Sequence, residues 1–377
     1  MASRSPLIFV LALLALPGCL SFTPLSLPNP FKPTKQGQGV SSPPPSERGA
    51  VAVPWFPMSR KDLDLIGTKT LDAGADLDST HPGFKDIEYR ERRKMIVDRA
   101  SQYRHGSELP SIAYTPAETE TWGQVYGSLR EASKRHAIEP FNEIIFDLEA
   151  SGLYGKGAIP QISDVSSYLE DKTGFSLRPV GGLLTPRDFL NGLAFRVFHS
   201  TQYIRHQSKP LYTPEPDVVH ELVGHAPMLA EPAFAALSQR IGLASLAATD
   251  GEIERLATAY WFSVEFGLCM EGGRRKAYGA GLLSSPGELE YACGDGGAAR
   301  PELRDWDPLS ASLQTYPITE YQPVYYVAGS LDDAEARIAE FGDGISQGRP
   351  FTMQYDDENA CIRTDPGVLR LAKGSEP

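Results

Sequence analysis

The stretch Tyr212-Thr-Pro-Glu-Pro-Asp-Val-Val-His-Glu-Leu-Val-Gly-His-Ala-Pro-Met-Leu-Ala-Glu-Pro-Ala-Phe-Ala-Ala-Leu-Ser-Gln-Arg-Ile-Gly-Leu-Ala-Ser245 decides how this chain reads. It sets two histidines, His220 and His225, five residues apart. On a regular helix that spacing leaves the rings about 140° apart, whereas the four-residue spacing of a His-Glu-x-x-His zinc motif stacks them on one face. Gly224 lies just before the second histidine and Pro227 follows it, and both residue types weaken a regular helix. A helix end or a single π-type widening is therefore expected there, turning both rings to one side. The plain alternative is two unrelated histidines, one exposed and one packed.

Forty positions further on, Glu265 is the sole charged residue between Leu256 and Leu268. A helix that is apolar all round is buried, and a lone buried carboxylate is costly unless it meets a cation. Gly272-Gly273 offers the stop for that helix. Two imidazoles and one carboxylate form a donor set for mononuclear non-heme Fe(II) with open positions. The competing account pairs Glu265 with a buried Arg.

The whole chain bounds the answer. Its 377 residues are 41% hydrophobic and 22% charged, ordinary for a globular protein. A formal net charge of −12 argues against a nucleic-acid partner. Cys19, Cys269, Cys293 and Cys361 include no CxxC pair and suggest no disulfide framework, so the body reads as a protein of a reducing compartment.

The N-terminus differs from the body. Arg4 precedes ten apolar residues, Leu7 to Leu16, too short for a membrane span and suited to a signal core. A Ser/Pro/Thr-rich stretch follows, and the first acidic residue is Glu47. We expect a signal-like leader over 1–21, a transit-like linker over 22–50, a catalytic domain over 51–370 and a tail over 371–377. The bipartite leader suggests a plastid destination. The alternatives are a secreted or lipid-anchored form, since Leu16-Pro-Gly-Cys19 loosely matches a lipoprotein box, or a cytosolic form if the leader is unused. Residues 1–48 carry four basic groups and one acidic one, so their removal takes the charge from −12 to −15. No membrane-embedded mature form is expected.

Beyond residue 50 the pattern is largely helical. Apolar residues recur at helical intervals from Trp122 and, broadly, over Ile138 to Leu153. Ser163 or Asp164 reads as a cap for a further helix, and Thr185 or Asp188 starts another that runs through Phe198. Phe175 to Val180 is a short extended piece, and Phe351–Tyr355 and Ala360–Thr364 flank Asp356-Asp-Glu-Asn as a hairpin. The fold class is mainly α with minor β around a single core.

With these motifs in hand, the chain resembles the pterin-dependent aromatic amino acid hydroxylases. Matching blocks include Val53-Pro-Trp-Phe-Pro57, His81-Pro-Gly-Phe-Lys-Asp86, Phe195-Arg-Val-Phe-His-Ser-Thr-Gln-Tyr-Ile-Arg-His206, Ala259 to Cys269, and Lys276-Ala-Tyr-Gly-Ala-Gly-Leu-Leu-Ser-Ser285. The resemblance implies one mostly helical catalytic domain with iron in a basket-like cleft, held by His220, His225 and Glu265. It implies that Arg205 grips the substrate carboxylate, which suits a bidentate guanidinium. Asp217 would orient Arg205, Thr213 would help hold the amino acid, and Pro216 and Trp261 would wall its ring. The reduced pterin would lie over Phe189 near Gly182 and Leu184, with Glu221 and Tyr260 approaching from the iron side. Ser284, Gly281 and Glu288 would form an active-site loop and its support. The plain readings are a surface salt bridge for Arg205, core packing for Trp261 and a Gly-rich turn around Gly281.

The implied activity is hydroxylation of phenylalanine to tyrosine with Fe(II), O2 and tetrahydrobiopterin or a reduced folate. Tryptophan is the alternative substrate, with His199 and Ile318 lying where family members differ. A reading from another class is a zinc hydrolase on His220, Glu221 and His225, with Glu221 activating a metal-bound water. A third is an idle scaffold, though no ligand nor Arg205 is missing. The animal enzymes have a regulatory domain, a tetramer-forming helix and a mobile-loop Tyr. Here only the leader precedes Val53, the chain stops soon after the hairpin, and Ala73 stands at the Tyr position, so hyperbolic kinetics, a monomer or dimer, and altered lid closure are expected.

Overall fold

The computed structural model describes residues 51–370 apart from 68–69, 71, 74–76, 295–299 and 319. The leader (1–21), the linker (22–50) and the tail (371–377) lie outside the described residues. Helices dominate, as the sequence pattern predicts. Helix Pro116–His136 starts with a Thr115/Glu118 capping box and ends with Lys134, Arg135 and His136 in its last turn. Both ends thus satisfy the helix dipole, and Trp122, Val125, Tyr126 and Leu129 turn inward. Helix Glu139–Ala150 follows at once. Helix Ile162–Thr173 has Gln161 at its N-cap with no side-chain cap bond, so Ser163 and Asp164 sit inside the first turn instead of capping it.

Thr185 does cap helix Pro186–Ala194, its hydroxyl accepting from Asp188 N at 3.1 Å. That helix ends four residues before Phe198. Arg196 takes φ +53°, which breaks the helix, and Val197–Ser200 pairs in parallel with Ser176–Pro179. A strand partner distant in sequence overrides the local helical pattern. Helix Pro232–Ser245 then lies between Pro186–Ala194 and Leu331–Ser346. Gly242 lets it press on the Ala194 backbone, where a Cβ would collide.

The helix that carries Glu265 also ends earlier than expected. Asp250–Tyr260 runs into a π-turn, Trp261–Glu265, and stops. Leu268–Glu271 is a strand, and Gly272 and Gly273, at φ +56° and +75°, turn its hairpin to Arg274–Ala277. Two left-handed residues in succession are what a tight hairpin needs, so the glycines serve a turn rather than a helix stop. The four-stranded sheet runs Arg274–Ala277, Leu268–Glu271, Val324–Ala328, Glu302–Asp305, antiparallel at the first pair and parallel after it. The C-terminal hairpin is present as Thr352–Asp356 and Cys361–Asp365. Asp72–Ala73 pairs with Gly182–Leu183.

One large core holds the helices and the sheet. Two smaller apolar clusters stand beside it, so the core is not single. The first joins Val53, Phe56 and Leu63 to Phe195, Phe351 and Ile362 beneath the C-terminal hairpin. The second contains Ile96, Val97, Ile112 and Tyr203. Among the described residues, no helix is long and apolar enough to cross a membrane.

Candidate metal centre and active site

His220–His225 is a π-turn, the local widening that the five-residue spacing predicts. Ala226 N donates to Glu221 O across it, an i→i+5 bond. The wider turn brings both imidazoles to one side, where their Nε2 atoms stand 3.0 Å apart. Glu265 closes the group from the second π-turn, with Oε1 3.1 Å from His225 Nε2 and Oε2 3.6 Å from His220 Nε2. All three residues are at most 1% exposed. The carboxylate faces the two histidines rather than an Arg.

Three glycines explain how two π-turns meet. The short helix Ala280–Leu283 packs against both. A Cβ on Gly224 would lie 2.6 Å from Ala280 O, and one on Gly279 would lie 2.5 Å from Glu265 O and from Gly267 N. Gly281 is likewise a packing residue, its added Cβ 2.9 Å from Phe266 Cζ and 3.0 Å from Glu265 O. It sits in the buried helix, not in an open Gly-rich turn.

The donors fit a divalent metal ion. Neither oxygen of Glu265 has a hydrogen-bond donor within the described protein, although both are fully buried. An uncompensated buried carboxylate is expensive, and a cation between the three side chains removes the cost. Imidazole–metal bonds of roughly 2.1 Å at right angles would put two nitrogens about 3.0 Å apart, as the facial two-His, one-carboxylate arrangement requires. Burial, partly offset by Glu265, depresses the His220 imidazole to about 3 and keeps it neutral, the form that ligates. Burial pushes Glu265 up, but the facing His225 and His220 outweigh it and hold the carboxyl below its ordinary value. The Tyr260 hydroxyl also lowers it, without the geometry of a full hydrogen bond.

Ser284 fixes the His220 tautomer. Its hydroxyl donates to Ala280 O at 2.8 Å, so toward His220 Nδ1, 2.9 Å away, it accepts. Nδ1 therefore carries the proton and Nε2 faces the centre.

A cleft and a buried ion pair adjoin the donors. The cleft is lined by Gly182, Leu184, Phe189, His199, Thr201, Pro216, Glu221 and His225. Tyr260 packs edge-on to Phe189 with centroids 5.4 Å apart. Glu221 Oε1 accepts from Thr201 N at 3.2 Å and Thr201 Oγ1 at 3.0 Å, and burial raises its carboxyl well above the usual range. Both ring nitrogens of His199 lack a partner among the described residues, and burial lowers its imidazole to about 3.

On the other side, Arg205 and Asp217 form a buried fork. Arg205 N, Nε and Nη2 each donate to Asp217 at 2.8 Å, and Asp217 also accepts from His220 N at 3.1 Å. Asp217 thus ties the guanidinium to the start of the metal-bearing turn. Thr213 donates to Glu215 O at 2.7 Å and stiffens the segment that carries Pro216. Trp261, fully buried, opens the Glu265 turn and donates from Nε1 to Gln322 Oε1 at 3.1 Å. Glu288 accepts from Gln322 N and Tyr325 OH, and burial lifts its carboxyl to about 7. Ile318 lies on the same segment, half-buried.

Of the residues singled out from the sequence, His220, His225 and Glu265 come together, Gly182, Leu184, Phe189, His199, Pro216 and Glu221 line the cleft, and Arg205 pairs with Asp217, which accepts from the His220 backbone. Sequence reading missed Thr201, Gly279 and Gln322 as parts of the site. The Gly279-Ala-Gly281 run was a visible signal of close packing, whereas Gln322 carries no local one.

Comparison with known proteins agrees with this geometry. Residues 54–368 match the model of the biopterin-dependent aromatic amino acid hydroxylases. Phenylalanine-4-hydroxylase of Rattus norvegicus is 53% identical over 304 residues, 81% of this chain and 66% of that protein. Tyrosine 3-monooxygenase of the same species is 50% identical over 310 residues, 82% of this chain and 61% of that protein. The chain thus spans about two thirds of the length of these curated relatives. Chromobacterium violaceum phenylalanine hydroxylase, solved with iron(III) and 7,8-dihydrobiopterin, is similar in structure, with TM-score 0.56 and 29% identity over 63% of this chain and 85% of that one. A His2Glu centre alone is shared with zinc hydrolases, but the match over the whole described region leaves one assignment: this chain belongs to the biopterin-dependent aromatic amino acid hydroxylase family.

Proposed function

We propose that this protein is an Fe(II)- and tetrahydropterin-dependent monooxygenase that hydroxylates phenylalanine to tyrosine with O2. The observation that carries the reading is the buried His220, His225 and Glu265 triad, its carboxylate oxygens without donors, set between an apolar cleft and the Arg205–Asp217 fork. Phenylalanine is favoured over tryptophan by the relatives named above. The catalytic unit is residues 51–370.

Iron and reduced pterin together supply the oxygen-activating chemistry. The protein supplies position, charge and exclusion of water. Asp217 holds Arg205 in one plane, and the N–H groups directed away from Asp217, one of which donates to Pro210 O at 3.3 Å, would meet the substrate carboxylate as a fork. Thr213 and Pro216 hold the amino acid backbone and ring edge, and Trp261 backs the ring. Phe189 offers a stacking face for the pterin, and Gly182 and Leu184 bring backbone close to it. Glu221, positioned by Thr201, faces the same cleft and offers a carboxyl to the polar pterin edge. Tyr260 closes that end beside Phe189. Burial of the triad keeps bulk water from the reacting atoms.

The test is anaerobic reconstitution with Fe(II), then O2, each aromatic amino acid, and tetrahydrobiopterin or tetrahydrofolate in turn. Tyrosine should form from phenylalanine, labelled by 18O2, and Zn(II) should support no turnover. His220→Ala, His225→Ala and Glu265→Ala should each lose stoichiometric iron. Full iron occupancy in all three variants would refute the ligand assignment, and tyrosine-free reactions with either pterin would refute the activity.

A further inference from the structure

We propose that Gln322 is a positioning residue for this reaction, fixing the plane of the Trp261 indole and so setting which aromatic ring the site accepts. The inference rests on the reading above, in which Trp261 backs the substrate ring. Trp261 is the first residue of the π-turn that ends at Glu265, and Phe266 N donates to Trp261 O at 2.9 Å across it. In a turn closed by i→i+5 bonds, residues four or five apart project to one side. The indole and the iron-binding carboxylate therefore share a face.

Besides Phe266, tilted against it with centroids 4.7 Å apart, what holds the indole comes from a distant segment. Tyr316 stacks on it with centroids 4.5 Å apart and planes 18° apart. Stacking alone lets a ring slide and rotate within its plane. Rotation is stopped by the bond from Trp261 Nε1 to Gln322 Oε1, 3.1 Å, between fully buried groups. Gln322 is itself over-determined. Its Nε2 donates to Pro317 O at 2.8 Å, so its amide cannot flip without losing both bonds. Its backbone N donates to Glu288 Oε1 at 3.1 Å, and Tyr325 OH donates to the same oxygen at 2.7 Å. Glu288, Gln322 and Trp261 form one buried relay that ends on the ring. A wall held this firmly admits a phenyl group and resists the displacement that a larger indole substrate needs.

The test is a cycle of Gln322→Leu, Trp261→Phe and the double variant in the iron-loaded full chain. Leu keeps volume and removes the acceptor, and Phe keeps a ring and removes the N–H. In the Trp261 background, Gln322→Leu should raise the phenylalanine KM about two- to tenfold, the scale of one net hydrogen bond, and lower the phenylalanine-to-tryptophan ratio of kcat/KM by a similar factor. Iron stoichiometry and the tetrahydrobiopterin KM should hold. In the Trp261→Phe background the same change should move the ratio less than about twofold, since no N–H is left to hold. Equal falls in both backgrounds, loss of iron, or an unchanged ratio in the first background would overturn the proposal. Ultraviolet resonance Raman difference spectra, wild type minus Trp261→Phe, read the indole N–H bond without turnover. An unshifted band in Gln322→Leu would overturn the proposal even if the protein hydroxylated no amino acid, and a protein inactive on all three amino acids with a shifted band would refute the activity instead.

Discussion

Replacing Asp217 with Asn should leave the guanidinium of Arg205 buried without its counter-charge. Both side chains are 1% exposed, so water cannot take over. Asp217 accepts three bonds from Arg205 at 2.8 Å and one from His220 N at 3.1 Å. Asn keeps one acceptor oxygen but turns an amide toward the guanidinium. Removing one partner of a buried pair costs about 3–5 kcal/mol, a large part of the roughly 5–15 kcal/mol that holds a domain together. With a urea slope of roughly 3 kcal/mol/M, the unfolding midpoint of the iron-free protein should fall by about 1 M or more. The pH dependence is fixed by sign. Burial raises the Asp217 carboxyl, but Arg205 overcomes it and holds the group below its ordinary value. A depressed acid contributes its stability above the unfolded value of about 3.9 and loses it as pH falls through the folded value. The difference between wild type and variant should therefore be flat from about pH 5 to 8 and shrink below about pH 4. Arg205→Leu with Asp217→Leu should recover most of the lost stability, because the uncompensated charge is gone, while phenylalanine turnover stays lost. A loss under about 1 kcal/mol for Asp217→Asn, or a double variant less stable than the single, would refute the reasoning.

Two further outcomes follow from the metal centre. Ser284→Ala removes the acceptor that orients His220 Nδ1–H and should weaken Fe(II) binding about 10- to 100-fold in a chelator competition, with the fold intact; an unchanged affinity would show that Ser284 does not fix the tautomer. Gly279→Ala puts a Cβ 2.5 Å from backbone atoms of Glu265 and Gly267 and should cost about 3 kcal/mol or more, whereas Gly281→Ala meets the Phe266 ring edge at 2.9 Å and the Glu265 oxygen only at 3.0 Å and should cost less. The reverse order in thermal unfolding would count against backbone contact as the reason for glycine.

The sequence by itself determined the donor set, the widened turn and the family. Side-chain type and spacing carry that information: the five-residue spacing of His220 and His225, broken by Gly224, leaves a regular helix no way to face both rings inward, and the π-turn resolves the conflict. The alternating pattern around Asp356-Asp-Glu-Asn likewise contained its own hairpin. Tertiary structure decided what local pattern leaves open. The apolar run after Glu265 continues as a strand because Leu268–Glu271 finds Val324–Ala328 far along the chain. The helix from Pro186 stops at Ala194 because Val197–Ser200 finds Ser176–Pro179. Strand choice depends on such partners more than on intrinsic preference. The same holds for the glycine contacts that bring the two π-turns together and for Gln322, an ordinary polar residue in sequence. Its role comes from meeting Trp261 across 61 positions. Spacing along the chain gives the chemistry of the donors, and only packing through space gives the orientation in which they are held.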